Sequence, residues 1–444
     1  MRWHASDLAR ALAEYGPCRV LGPDVEIDGA SFDSRDLAAG QMFVALVAER
    51  DGHEFVRGAV DGGAAACLVS REVPADVASR TTQIVVDDTA AALMNAARWA
   101  RGRFPAGTMA VGVTGSVGKT STKDLIAAAV SGTRRTVANV RSYNNEQGLP
   151  VTILNAPQDT EVLVLEMGMR GFGQIDMLCR VARPAIGVVT RVGEAHTSMV
   201  GGIDGVARAK GELVEALPSF GAAVLNADDP RVLAMRSRTD ARVVSYGESA
   251  GADVNIDDLR IADDGTTRFV ARTPEGSVDV RLSVPGRHMA SNAGAALAVG
   301  VVLGVPLAAL ADGLARATTS PHRMRMVRAR SGATILDDSY NANPTSMQAA
   351  LETVTRIAGR RRVAVLGLMA ELDDPEASHR GIAAIARELG VELVAVGTDL
   401  YGVPPIDLEA AIELVNDLSE GDLVLAKGSR VAGLDRLVDA VAAT

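Results

Sequence analysis

Aromatic residues are scarce in this chain: Phe, Trp and Tyr together make up 3% of its 444 residues, so no stacking residue for a nucleobase stands out. Cysteine is scarcer still. Cys18, Cys67 and Cys179 are isolated and odd in number, which supports neither a disulfide framework nor a thiolate zinc site and points to a reducing compartment. Positive charge is in deficit, with 45 Lys and Arg against 55 Asp and Glu and a net charge of −10. That balance argues against nucleic acid or an anionic membrane as partner and confines anion recognition to local pockets. No stretch reaches the roughly 18 uninterrupted apolar residues of a membrane span. The opening "MRWHASDLARALAEYG" mixes charges into an amphipathic pattern instead of a basic cap and an apolar block. A cytoplasmic protein with no membrane insertion is expected.

What is present is a well-packed composition, 48% hydrophobic and 23% charged, in a chain too long for one core. Three α/β domains are expected. Residues 1–104 alternate short helical and strand patterns, with "GQMFVAL" and "AACLVS" as strands and "GHEFVRGAVDGGA" as a helix. The Arg-, Pro- and Gly-rich "RGRFPAGT" marks a junction. Residues 105–317 then carry "MAVGVTG", "EVLVLEMG", "AIGVVTRVG", "GAAVLNAD" and "ARVVSYG", strands separated by helices, which predicts a mostly parallel sheet. Residues 252–284 alternate between turn residues and read as an antiparallel insert. After a second junction, "ATTSPHRM", residues 318–444 supply "ATILDDSY", "RVAVLGLM", "LVAVG" and "DLVLAKGS" as four more buried strands.

The most informative stretch is "VGVTGSVGKTSTKDL", residues 111–125. Gly115, Ser116, Val117 and Gly118 lie between a strand and a helix that begins near Lys119, with Leu125, Ile126, Ala129 and Val130 as its apolar stripe. Small residues let backbone N–H groups approach phosphate oxygens, the helix N-terminus adds positive potential, Lys119 can reach outer phosphates, and Thr120, followed by Ser121, can ligate magnesium. Val113 stands where the general phosphate-loop pattern has its first glycine. Glu166 follows an apolar strand, where α/β sheets collect ligands, and is a magnesium candidate; alone it is equally an exposed strand end. His196 lies beyond the next strand, in "VGEAH". Lys210 falls within an apolar stripe formed by Ile203, Val206, Leu213, Val214 and Leu217. Two readings fit that position: a buried stem with its head in water, or a neutral amine that takes up carbon dioxide as a metal-binding carbamate.

Further along, His288 and Asn292 could meet a base edge, and Arg323 stands at the second junction. Asp337, Asp338, Asn341 and Asn343 cluster after a strand, and Lys427, Ser429 and Arg430 after another, suited to a carboxylate or phosphate.

In this order the motifs resemble the Mur ligase family. The matching stretches include "DSRDLAAGQMFVAL", "GVTGSVGKTSTKDL", "SYNNEQGLP", "EMGMRGFGQI", "GEAH", "ARAKGE", "GRHMASNAGAA", "LDDSYNANP", "AELDD" and "LAKGSR". The family's loop lacks the first glycine, which accounts for Val113. Arg191 stands where the D-alanyl-D-alanine-adding branch usually has asparagine, and Leu368 replaces an acid. The resemblance implies an N-terminal UDP-binding domain, a central ATPase-type domain and a C-terminal Rossmann-like domain that closes over ATP and binds the dipeptide. It implies ATP-dependent joining of D-alanyl-D-alanine to UDP-N-acetylmuramoyl-tripeptide by a monomer, with two magnesium ions and a carbamate on Lys210. Lys119, Glu166, His196 and Lys210 are implied as catalytic, the last three with Thr120 as the metal set. Nucleotide contacts are implied for the 115–121 loop, His288, Asn292, Arg323 and Asp338. Asp33, Ser34 and Arg35 are implied at the uridine diphosphate end, and Asn144, Asn145 and Arg170 nearer the sugar. Asn341, Asn343, Lys427, Ser429 and Arg430 complete the substrate set. The alternatives are a sister ligase adding one amino acid, or a folylpolyglutamate synthetase-like ligase.

Overall fold

The computed structural model describes residues 1–140, 142–193 and 197–443. By packing, the chain falls into two compact units: Met1–Gly112 with Arg134–Gly168 and Gln174–Ala185, and Val113–Thr133 with Met169–Gly173 and Ile186–Thr444.

In the first unit, strands Cys18–Leu21, Thr82–Val86, Ala66–Val69, Met42–Val44 and Ala30–Ser31 lie side by side in that order. All neighbours are parallel except the first pair. Their core is Phe43, Val56, Val60, Cys67, Val69 and Val85. Burial pushes the Cys67 thiol up to about 11, so it remains an inert apolar group. The helix expected over "GHEFVRGAVDGGA" forms as a short 3-10 turn, Gly52–Phe55, running into Val56–Asp61. Strand Val162–Glu166 pairs in parallel with Thr136–Ala138 and is buried along its whole length. Such a run of Val and Leu is what a strand covered on both faces requires.

The second unit holds parallel strands Ile186–Val189, Ala222–Asn226 and Arg242–Gly247, extended by Val254–Ile261. The expected antiparallel insert is there: Val254–Ile261, Thr267–Thr273 and Gly276–Leu282 pair antiparallel in sequence. The apolar helix Arg287–Val302 is buried nearly throughout and packs against helix Lys119–Ser131. A separate five-stranded sheet follows in the order Arg325–Arg328, Thr334–Asp337, Leu423–Lys427, Arg362–Leu366, Glu392–Ala395. Its last four strands are the ones the sequence predicts, all parallel. The first is an antiparallel edge strand whose outer arginines gave no strand signal. Charged edges of this kind are how sheets avoid pairing with other chains.

Among the described residues no helix is long and apolar enough to cross a membrane.

Candidate functional site

The second unit carries the phosphate loop. Strand Met109–Thr114 ends in Gly115, at φ 154°, and helix Lys119–Ser131 starts after Gly118, at φ 81°. The turn is fastened from below by Thr190, whose hydroxyl donates to the Val117 carbonyl at 2.6 Å. A Cβ on Gly115 would lie 1.9 Å from that hydroxyl, so only glycine fits. Thr190 is itself held, its carbonyl accepting from the Asn226 amide at 2.8 Å. Ser116 ties the loop sideways: its N–H donates to the Arg191 carbonyl at 2.7 Å, and its hydroxyl bonds Gly193 at 3.0 Å. The position that departs from the usual asparagine therefore serves the loop through its backbone, which any residue supplies.

Lys119 folds back so that its ammonium donates to the Gly115 carbonyl at 2.8 Å. Thr120 and Ser121 are buried in the first turn of the helix. Asn292, buried on helix Arg287–Val302, places its Oδ1 where it would stand 2.7 Å from a Cβ at Gly118. Gly118 is thus fixed twice, by its left-handed backbone and by this contact. Replacing Gly118 with alanine is expected to cost roughly 1–2 kcal/mol and lower the melting midpoint. Gly107→Ala, in open space at the surface, should leave the midpoint unchanged.

Lys210 ends helix Ile203–Lys210 and is 2% exposed, which rules out the reading in which its head reaches water. Burial, with the like charge of Lys119, holds its amine well below the ordinary lysine range. The apolar stripe is real but crosses a break at Gly211, after which Leu213 and Val214 sit on a separate turn of helix. His196 lies outside the described residues.

At the second junction Arg323 stacks over the Tyr340 ring at 4.2 Å, and Arg430 lies over the same ring at 5.5 Å. The residues on either side of Arg323, His322 at φ 62° and Met324 at φ 48°, adopt left-handed backbone without being glycine. Aspartates from the adjoining strand end hold both: Asp337 pairs with the His322 ring at 3.0 Å, and Asp338 accepts from the Met324 N–H at 3.3 Å. Asp124, ion-paired with the buried Lys123, accepts from the Ser320 N–H at 2.7 Å and fastens the loop to the phosphate-loop helix. Lys123 and Asp124 were not singled out from sequence, where "TKD" reads as an ordinary helical surface.

Lys427 and Asp338, expected at opposite ends of the reaction, form a buried ion pair, and the Asn341 carbonyl also accepts from the lysine at 2.9 Å. Burial still lowers the Lys427 amine, although Asp338 opposes the shift. His288 stands nearby, pushed down to about 4 by burial and so neutral at pH 7. Asn343 caps helix Pro344–Arg356 in a reciprocal box with Ser346. Ser429 is buried: its hydroxyl accepts from the Ala370 N–H at 2.9 Å, and its own N–H donates to the Leu368 carbonyl at 2.8 Å. Leu368, like Arg191, contributes a backbone carbonyl, and nothing in the structure explains the leucine side chain in place of an acid.

The first unit holds the rest apart from Arg170. Glu166 ends its strand 1% exposed, so it is no exposed strand terminus. Its Oε1 accepts from the Asn144 amide at 2.7 Å, and its N–H donates to the Asn139 side chain at 2.6 Å. Asn145 accepts from the Gln147 and Gly148 N–H groups, opening helix Gly148–Asn155. Asp33 chelates the exposed Arg35 through Nε at 2.9 Å and Nη2 at 2.6 Å, with Ser34 partly buried between them. Phe32 packs against Tyr143 with ring centroids 5.5 Å apart. Arg170 is exposed in the second unit.

A glycine-rich turn between a strand and a helix N-terminus, with a lysine at the first helical position, defines a phosphate-loop α/β protein. Residues 113–300 match the Mur ligase middle domain and residues 322–430 the Mur ligase glutamate ligase domain. Among curated proteins, the chain is 38% identical to the UDP-N-acetylmuramoyl-tripeptide--D-alanyl-D-alanine ligase of Mycobacterium tuberculosis, over 93% of this chain and 91% of that one. The enzyme of the same name from Escherichia coli is 35% identical over 95% of each. Among solved structures, MurF from Acinetobacter baumannii superposes with a TM-score of 0.86 at 30% identity, covering 99% and 98% of the two chains. MurF from Thermotoga maritima in complex with ADP gives 0.80 at 28%, covering 93% and 96%. The chain belongs to the Mur ligase family.

Proposed function

We propose that this protein is the ATP-dependent ligase that joins D-alanyl-D-alanine to UDP-N-acetylmuramoyl-tripeptide in peptidoglycan precursor synthesis, yielding UDP-N-acetylmuramoyl-pentapeptide, ADP and phosphate. The observation that carries this reading is the likeness, along nearly the whole chain, to curated ligases of that activity. In this reading residues 1–104 bind the UDP-sugar, residues 105–317 bind ATP, and residues 318–444 close over the nucleotide and receive the dipeptide. The protein acts in the cytoplasm as a monomer.

Joining a carboxylate to an amine is uphill at neutral pH, so the carboxylate is first activated. Its oxygen takes the γ-phosphoryl of ATP and ADP leaves; the dipeptide amine then attacks the acyl phosphate carbon, loses a proton and expels phosphate. Phosphoryl transfer between anions depends on positioning and on charge neutralisation. The N–H groups of the 115–120 turn would hold the phosphates, with Lys119 leaving the Gly115 carbonyl for the outer ones. His288 and Asn292 would address the base, and Arg323 and Asp338 the nucleotide from the second junction. Neutral His288 suits a base edge better than a phosphate. Asp33, Ser34, Arg35, Asn145 and Arg170 are proposed for the UDP-sugar, and Asn341, Asn343, Ser429 and Arg430, with Lys427 through its pair with Asp338, for the peptide end.

The oxygen donors suit magnesium: a buried threonine hydroxyl at Thr120 and a buried, hydrogen-bonded carboxylate at Glu166 are the hard ligands that ion takes. Thr120, Glu166, His196 and carbamylated Lys210 would hold two such ions, which when bound neutralise charge on the phosphates and the carboxylate. A buried amine held neutral is the nucleophile that carbamate formation needs: nitrogen attacks carbon dioxide, loses a proton and becomes an anion.

Phosphate release from ATP and magnesium, measured with UDP-N-acetylmuramoyl-tripeptide and either D-alanyl-D-alanine, D-alanine or no amine, tests this directly. Release should depend on the dipeptide, with a matching mass gain in the product. Coupling to a single amino acid would move the protein to a sister activity, and release without any amide would exclude ligation.

A further inference from the structure

We propose that Asn144 is a positioning residue for Glu166 and not a contact to the sugar diphosphate. The proposal rests on Glu166 being a metal ligand. In "SYNNEQG" the two asparagines are equivalent by sequence, yet the structure gives them different tasks. Asn145 turns its side chain to the N–H groups that open the next helix. Asn144 turns the other way and donates its amide to Oε1 of Glu166 at 2.7 Å.

The attachment is double. While the Asn144 side chain holds the carboxylate, its carbonyl accepts from the Gly168 N–H at 2.8 Å, so the loop is bonded to the chain at residues 166 and 168 at once. Gly168 has no room for a side chain, because a Cβ there would stand 2.9 Å from the Asn144 Oδ1. Asn139 braces the same assembly, accepting from the Glu166 N–H at 2.6 Å and donating to the Tyr143 carbonyl at 2.5 Å, directly before Asn144. A glutamate carboxylate, free to turn about three side-chain torsions, needs such an outer partner to hold one orientation toward a cation. An amide supplies the donor without adding a second negative charge beside the first.

The test uses the full-length protein with a non-hydrolysable ATP analogue and Mn2+ as the probe ion, its binding followed by electron paramagnetic resonance. Asn144→Ala should weaken Mn2+ binding by roughly 10–100-fold, while KM for the UDP-tripeptide and its binding in the absence of metal stay unchanged. Gly168→Ala, which displaces the Asn144 side chain without removing it, should act in the same direction and keeps the test open if Asn144→Ala folds poorly. Glu166→Gln is the reference. If Glu166→Gln weakens Mn2+ binding and the two other variants do not, the positioning role is wrong while the ligand reading stands. If Glu166→Gln leaves Mn2+ binding unchanged, both are wrong. A loss of UDP-tripeptide affinity in Asn144→Ala with Mn2+ binding intact would return the residue to the substrate.

Discussion

Replacing Lys119 with alanine is expected to lower kcat of the ligase by roughly 10²–10³-fold with ATP saturating, and to leave the melting midpoint almost unmoved. The two halves follow from one observation. The partly buried lysine donates to the Gly115 carbonyl within its own loop, and that loop is fastened separately by Thr190 and by the Ser116 bonds to Arg191 and Gly193. The loop therefore keeps its own fastenings when the ammonium is removed. Steady-state phosphate release on Lys119→Ala, beside a thermal melt, reads both quantities. Near-normal turnover would remove Lys119 from the chemistry, and a large drop in the midpoint would mean that the lysine is structural.

The second large effect is expected at Lys210. Alanine there should reduce activity by on the order of 100-fold or more, and a short carboxylate such as formate should restore part of it, because the cavity left by the side chain can admit an anion where the proposed carbamate would stand. The physical ground is the burial of an amine that also feels the like charge of Lys119. An uncompensated buried ammonium is costly, and converting it to an anion removes the repulsion from Lys119. Activity of the wild-type protein should accordingly fall when carbon dioxide is stripped from the buffer and recover on adding bicarbonate. Lys210→Ala at full activity would dispose of the carbamate. Because Lys119 lowers the Lys210 amine, losses at the two sites should not add in the double variant.

Much of this arrangement is legible in the sequence because local periodicity determines where strands end, and strand ends are where parallel sheets gather functional groups. Glu166, Asp337 and Lys427 all close buried runs of Val, Leu and Ile, as expected. The cradle glycines, the apolar stripe that holds Lys210 and the antiparallel insert were likewise readable. Partnerships across long separations were not. Nothing local in "LAKGSR" indicates that Lys427 will pair with an aspartate 89 positions earlier, or in "VVTRVG" that Thr190 will support a glycine 75 positions before it. Nor does anything local in "SYNNEQG" say which of the two adjacent asparagines faces Glu166. The edge strand Arg325–Arg328 escaped because its exposed arginines express avoidance of other chains, not burial.

The connection into the C-terminal sheet has a mechanical meaning. A turn made from glycine would be slack, free to bend without disturbing its neighbours. Here the reversal is made by His322 and Met324 in conformations that cost of order 1–3 kcal/mol each, and it is kept in shape by carboxylates belonging to Asp337 and Asp338. Arg323 is therefore mounted on a stiff elbow whose braces belong to the sheet itself. One end of that elbow is bolted to the phosphate-loop helix through Asp124, so the guanidinium takes its position from that helix and from strand Thr334–Asp337 together and does not hang on a tether.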